Sequence, residues 1–125
     1  MTTQAVRIPK IRIVCLPKDT NALGSIFGGV ILSYLDMAAG EEARSIAPHR
    51  YVTKLVRDVE FIAPVFVGDS VSFYTETLKL GRTSVTVKVL VEVERGIGKR
   101  ETIKVTEAEV VMVAIDAQGN PIPIN

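Results

Sequence analysis

Asp36 is the single charged residue between Ser25 and Glu41, set in an apolar run that reads as a helix. At helical spacing it shares a face with Leu32, Ala39 and Ala43. An isolated carboxylate taken out of water is costly unless it is paired or neutralised, and groups under that kind of stress gather at functional sites as acids, bases or nucleophiles. The competing explanation is structural, with Asp36 filling a polar gap or pairing with a distant Arg or Lys. Gly28 and Gly29 stand where the helix begins. Uncapped N–H groups and the positive end of the helix favour developing negative charge there, and the missing side chains admit a carbonyl close to the backbone. A tight turn or close packing would account for the same pair. Asp36 lies two turns beyond Gly29, about 10 Å along the axis. One carbonyl cannot reach both, so if both serve one reaction the acid comes from one subunit and the amides from another. Asn21, in the loop before the helix, can orient a water or a carbonyl through its amide, although Asn is also a common turn residue.

A second group has the chemistry of phosphate recognition. Gly81, Arg82, Thr83 and Ser84 between two strands, and Lys99 and Arg100 at the next hairpin, offer hydroxyls and guanidinium groups; scattered surface basic residues are the alternative. His49 has no second His or Cys at ligand spacing, so no metal site is expected. Cys15, the only cysteine, fits a small core residue. Glu41 and Glu42 are expected on the solvated end of the helix. Gly-x-Ser-x-Gly, Walker and dinucleotide motifs are all missing.

The elements that must position these residues follow from periodicity. Arg7 to Leu16 predicts a strand, residues 18–24 a polar loop, and Val30 to Ile46 a helix stopped by Pro48. Strands are predicted over Tyr51–Ile62, Ser70–Leu78, Thr83–Val93 and Arg100–Ile115. In the third of these, odd positions from Val85 to Val93 are all valine while the even ones are mostly polar, so one face is buried. In the last, the apolar parity switches between Val105 and Val110, the mark of a β-bulge. Residues 117–125, with Gly119, Pro121 and Pro123, form a loop-like tail. This order predicts an α+β fold, an antiparallel sheet curled around one central helix. The helix is apolar nearly all round, with Ile31, Leu35 and Ala38 on one side, Val30, Tyr34 and Met37 on another, and Leu32 and Ala39 on a third. One small sheet covers only part of that surface, so a partner subunit is expected on the rest.

At 125 residues and a net charge of +1, one domain over 1–125 is expected, with no nucleic acid or membrane partner. The start of the chain lacks the pattern of a secretory signal and its longest apolar stretch is too short to span a bilayer, so a cytoplasmic protein is expected.

The run from Asn21 through Gly24, Phe27-Gly28-Gly29 and Asp36 to Gly40 resembles the signature of the hotdog-fold acyl-CoA thioesterases of the YciA and ACOT type. The resemblance continues through Val52-Thr53, Phe61 to Pro64, Gly68-Asp69, Gly81 to Ser84 and Thr106 to Ala108, from Ile11 to Asp116 in all. It implies hydrolysis of acyl-CoA in a site at a dimer interface, with the sheets of two subunits paired side by side and the dimers gathered into a tetramer or hexamer. It places the catalytic carboxylate on Asp36, the loop amide on Asn21, the oxyanion glycines on Gly28 and Gly29, and coenzyme A contacts on Gly81, Arg82, Thr83, Ser84 and Arg100. No cofactor is implied, coenzyme A being part of the substrate. The alternatives are an acyl-CoA-binding sensor without catalysis and, behind it, a hotdog dehydratase, which would want a His and an acid near the helix.

Overall fold

One long helix and four long strands make up most of residues 7–125, the span that the computed structural model describes; residues 1–6 of the expected domain lie outside it. The elements are β1 (Ile11–Val14), a short 3-10 turn (Pro17–Asp19), α1 (Gly28–Ile46), β2 (Arg50–Phe61), β3 (Ser70–Leu80), β4 (Ser84–Arg95) and β5 (Glu101–Ile115). The strands form one antiparallel sheet in the order β1-β3-β4-β5-β2, so β1 and β2 are its edges. The helix packs across β3, β4, β2 and β5.

Valine alternation makes β4 the spine of the core. Val85, Val87, Val89, Val91 and Val93 are fully buried beneath Ile31, Leu35, Ala38 and Ala39 of α1. Each such side chain contributes roughly 1.5–3 kcal/mol relative to an exposed one. Small residues at 38, 39 and 43 let the helix lie close to the sheet, and Pro48 follows its last turn. The parity switch in β5 is a bulge at Val105, the extra residue opposite Val91 and Glu92. Val105 and Thr106 both turn inward, and the bulged carbonyl of Val105 accepts N–H groups from Ile62 at 2.8 Å and Ala63 at 3.3 Å. Further irregularities in β2 and β3, with Asp58 of β2 at φ +54°, bend the sheet around the helix.

Two expectations, on the first strand and on Glu42, need correction. The first strand is four residues long rather than ten: Pro9 has no N–H for a ladder, and Cys15 leaves the sheet to enter the core. The tail is irregular in form but packed. Asp116 Oδ1 accepts the N–H groups of Gln118 and Asn120, the Ile124 N–H donates to the carbonyl of Arg82, and His49 Nε2 lies 3.0 Å from the Ile124 carbonyl. Glu42 is not solvated. It turns under β3, where Thr77 and Thr75 donate to its carboxylate at 2.6 and 3.0 Å and Lys10 approaches to 3.4 Å.

Candidate active site

Asp36 sits on the face of α1 that looks toward β2 and β5. Its carboxylate is neither isolated nor fully buried, which corrects the expectation from sequence: Thr53 of β2 donates its hydroxyl to Oδ1 at 2.5 Å. The same hydroxyl oxygen lies 3.6 Å from the sulfur of Met112 on β5. Thr53 reaches the helix because its side chain alternates to the concave face of β2, opposite Met112. The carboxylate opens on a cleft of about 590 Å³ whose walls include Met37, Gly40, Tyr51 and Met112 and whose mouth carries Lys10, Glu41 and Arg44. Arg44 pairs with Glu41 there.

The start of the helix borders a different cleft. Gly28, with Ser25, Ile31, Phe61, Pro64 and Thr106, lines a space of about 300 Å³. Phe27 precedes the helix with extended backbone (φ −60°, ψ 129°), no side chain caps the first turn, and no acidic residue stands in it. The Val30 N–H is taken by the Phe27 carbonyl at 3.0 Å, whereas the N–H groups of Gly28 and Gly29 have no intrahelical acceptor. A side chain at Gly29 would strike the Phe27 ring, its Cβ only 2.7 Å from Cε1, and one at Gly28 would press on Phe61 at 3.3 Å. Both rings are more than half exposed.

Asn21 organises the loop that delivers the helix start. Its Oδ1 accepts the N–H groups of Leu23 at 2.8 Å and Ser25 at 3.2 Å, which fixes the amide's orientation, and Nδ2 donates to Ser25 Oγ at 3.0 Å. One Nδ2 hydrogen remains for a ligand. Ser25 itself lines the cleft beside Gly28. The structure thus gathers Asn21, Gly28 and Gly29 at one end of α1 and holds Asp36 two turns away in a second cleft.

The candidate phosphate contacts are not brought together. Gly81 to Ser84 form the turn between β3 and β4, closed by the Gly81 N–H donating to the Ser84 carbonyl at 2.8 Å and held by Ala114 and Ile124 N–H bonds to the carbonyls of Thr83 and Arg82. A Cβ on Gly81 would lie 2.6 Å from Ser84 Oγ, so a side chain there would have to turn the Ser84 hydroxyl aside. Arg100 stands at the other end of β4, bonded to the Glu94 carbonyl at 2.9 Å. Twelve residues of strand separate the two loops, roughly 36 Å, so one phosphate group cannot touch both within a subunit.

Other titratable groups serve the frame. Burial pulls the Glu42 carboxyl upward, but the Thr77 and Thr75 hydroxyls and Lys10 outweigh it and hold the group below the ordinary carboxylate range. Asp69 is 3% exposed; burial again opposes ionisation, and the Arg95 guanidinium with the Phe66 N–H overcomes it. Cys15 is in the core, its thiol pushed up first by burial and then by Asp19 and Asp69. Among the described residues no cluster of three or more His, Cys, Asp or Glu side chains offers a metal site, and no helix is long and apolar enough to cross a membrane.

A carboxylate held in a cleft, with uncapped amides two turns away on one helix wrapped by a curled sheet, can be compared with known proteins. Residues 23–98 match the family model of the thioesterase superfamily. The chain belongs to that superfamily. The acyl-CoA thioester hydrolase YciA of Escherichia coli is 40% identical over 115 residues, 89% of this chain and 86% of that protein. A hexameric hotdog-fold thioesterase of Campylobacter jejuni superposes with a TM-score of 0.90 at 42% identity, covering 94% of this chain and 90% of its own. A hexameric thioesterase from Yersinia pestis gives a TM-score of 0.88 at 35% identity, covering 98% and 99%. The fold of this thioesterase is accordingly the hotdog fold expected from sequence. Thr53 and Met112 had no assigned role in the sequence. Seventeen residues separate Thr53 from Asp36, and a hydroxyl on an alternating strand gives no local sign of what it faces.

Proposed function

We propose that this thioesterase hydrolyses acyl-CoA, with Asp36 as the reacting carboxylate, either as general base or as nucleophile. The observation that carries this reading is the Asp36 carboxylate itself, one oxygen held by Thr53 and the group open to a cleft large enough for a substrate arm. With Asp36 as base, its carboxylate takes a proton from water, the water oxygen bonds to the thioester carbon, and the carbonyl oxygen becomes an oxyanion. The tetrahedral intermediate then expels the coenzyme A thiolate, which takes up the proton, and the acid is released. As nucleophile, Asp36 would bond to the carbonyl carbon and expel the coenzyme A thiolate, and water would then cleave the resulting anhydride to the free acid and the Asp36 carboxylate, a proton from that water passing to the thiolate.

The N–H groups of Gly28 and Gly29 suit the oxyanion, and the remaining Nδ2 hydrogen of Asn21 suits the water or the carbonyl beside it. Because these lie two turns from Asp36 on the same helix, the site we propose is composite: Asp36 of one subunit works with Gly28 and Gly29 of the partner subunit. The edge strand β2 supports such pairing. It is long, and Val52, Leu55, Val56, Val59 and Phe61 are exposed along it. Assembly of dimers into a hexamer, the state of the C. jejuni and Y. pestis relatives, is part of the same proposal. Contacts to coenzyme A from the 81–84 turn and from Arg100, at opposite ends of β4, would then come from different subunits.

The test is thiol release from a panel of acyl-CoA esters by wild type and Asp36→Asn. Wild type is expected to turn over and the variant to lose roughly a hundredfold or more in kcat/KM. If neither protein turns over any ester while both bind coenzyme A, the sensor reading replaces catalysis.

A further inference from the structure

A glycine in mid-helix costs roughly 0.5–1 kcal/mol relative to alanine and normally has a local reason. Gly40 lies one turn beyond Asp36 on the same face, thirteenth of nineteen residues in α1, and the usual reasons do not apply. It is not among the residues with positive φ. A Cβ built on it would meet nothing closer than Met112 Cε at 3.6 Å and Arg44 Nη1 at 3.9 Å, ordinary contact distances. What the missing side chain leaves is space, and that space lies in the wall of the cleft onto which Asp36 opens. Met112 runs along the same wall, its sulfur 3.6 Å from the Thr53 hydroxyl and its terminal methyl facing Gly40. Met37 and Tyr51 complete an apolar lining, and beyond Gly40 the cleft meets the Glu41–Arg44 ion pair and Lys10.

We propose that the cleft running from Asp36 past Met112 to Gly40 receives the acyl chain of the substrate, and that Gly40 and Met112 set the chain length accepted. This rests on the thioester hydrolysis proposed above. The apolar section begins at the carboxylate and ends at a charged rim about 12 Å further along the helix axis, at Arg44. The rim stops an apolar chain, since continuing would require desolvating the paired charges. The two cations at the mouth, Lys10 and Arg44, are already paired with Glu42 and Glu41, and the wall between them and Asp36 is the apolar one of Met37, Tyr51 and Met112, which suits an acyl group better than the charged coenzyme.

The experiment compares kcat/KM across straight-chain acyl-CoA esters from acetyl to decanoyl for wild type, Gly40→Ala, Gly40→Val and Met112→Ala, with Asp36→Asn beside them. Gly40→Val is expected to depress the longest accepted esters roughly tenfold or more relative to the shortest, the scale of one or two methylenes in an apolar pocket. Gly40→Ala should move the profile in the same direction by less, and its Cβ fits without displacing a neighbour, so a folding defect cannot mimic the result. Met112→Ala should shift the optimum toward longer chains. If Gly40→Ala and Met112→Ala both leave the shape of the profile unmoved while wild type is active and Asp36→Asn is not, the assignment of this cleft is overturned and the hydrolysis reading stands. A wild type inert on every ester overturns both.

Discussion

At the scale of single residues the site depends on how Asp36 is held. A free carboxylate on a helix samples several rotamers, and holding a reacting group within a fraction of an ångström is what separates fast from slow chemistry. Thr53 does this by donating to Oδ1 at 2.5 Å, which leaves the other oxygen to face the cleft. We expect Thr53→Val, equal in size but without the donor, to lower kcat about tenfold to a hundredfold with KM little changed. Thr53→Ser should restore most of the rate, a rescue that a purely structural role for the methyl group would not show. The two residues differ in how legible they were. Asp36 stands out in sequence because a lone charge interrupts an apolar run, whereas Thr53 is one polar residue among several in an alternating strand. Asn21 falls between them: its turn role is visible in the hydrogen bonds to Leu23 and Ser25, and its remaining donor is a matter of geometry that the sequence does not carry.

At the scale of elements, helix α1 is fastened to the sheet near both ends. Glu42 anchors its C-terminal half to Thr75 and Thr77 of β3. Near its N-terminus, the loop between β2 and β3 is clamped to β4: Asp69 takes two hydrogen bonds from Arg95, at 2.9 and 2.7 Å, and one from the Phe66 N–H, while the Arg95 guanidinium lies 4.8 Å above the Phe66 ring. That loop supplies Pro64 and Val65 to the cleft beside Gly28, and the Val65 carbonyl accepts the Ile26 N–H just before the helix. Because the folded state holds the Asp69 carboxyl below its ordinary pKa, the stability it contributes is present above about pH 4 and is lost as pH falls through the folded value. Asp69→Asn should therefore cost about 2–3 kcal/mol near neutral pH, less than a fully buried pair because Arg95 is partly exposed. The difference from wild type should shrink in acid, as urea melts at pH 7 and below pH 4 would measure. The valine alternation of β4 and the parity switch at Val105 were plain in sequence because each is a local pattern. Glu42 was misplaced because its partners Thr75 and Thr77 lie on β3, more than thirty residues away, and a glutamate beside Glu41 and near Arg44 looks solvated until the sheet is present.

For the whole molecule, the spacing along α1 carries the strongest consequence. Asp36 and Gly28 border separate clefts of one chain, and the apolar excess noted in the helix reappears as exposed Met37, joined by exposed Phe27 just before the helix and by the exposed side chains of β2. A partner subunit would cover these surfaces and bring one cleft to the other. The number of apolar faces was readable from sequence, but which face stays open depends on the sheet order that leaves β2 at an edge. Complementation between two inactive variants tests the arrangement. Asp36→Asn removes the carboxylate. Gly28→Pro removes one amide N–H at the first helical position, where proline's fixed φ fits and the extended backbone of Phe27 suits a following proline; its Cβ would come 3.3 Å from the Phe61 ring, which is more than half exposed and has room to shift. Each variant alone should be down by a factor of about a hundred or more. Unfolded together and refolded, they pair at random: if the site is shared between subunits, each mixed dimer holds one site with both defects and one with neither, so about a quarter of all sites are intact. Recovery to about that fraction of wild-type turnover is the expected result. If each subunit instead completes its own site, every site keeps one defect, and the mixture stays as slow as its parts even when native mass spectrometry shows that mixed dimers have formed.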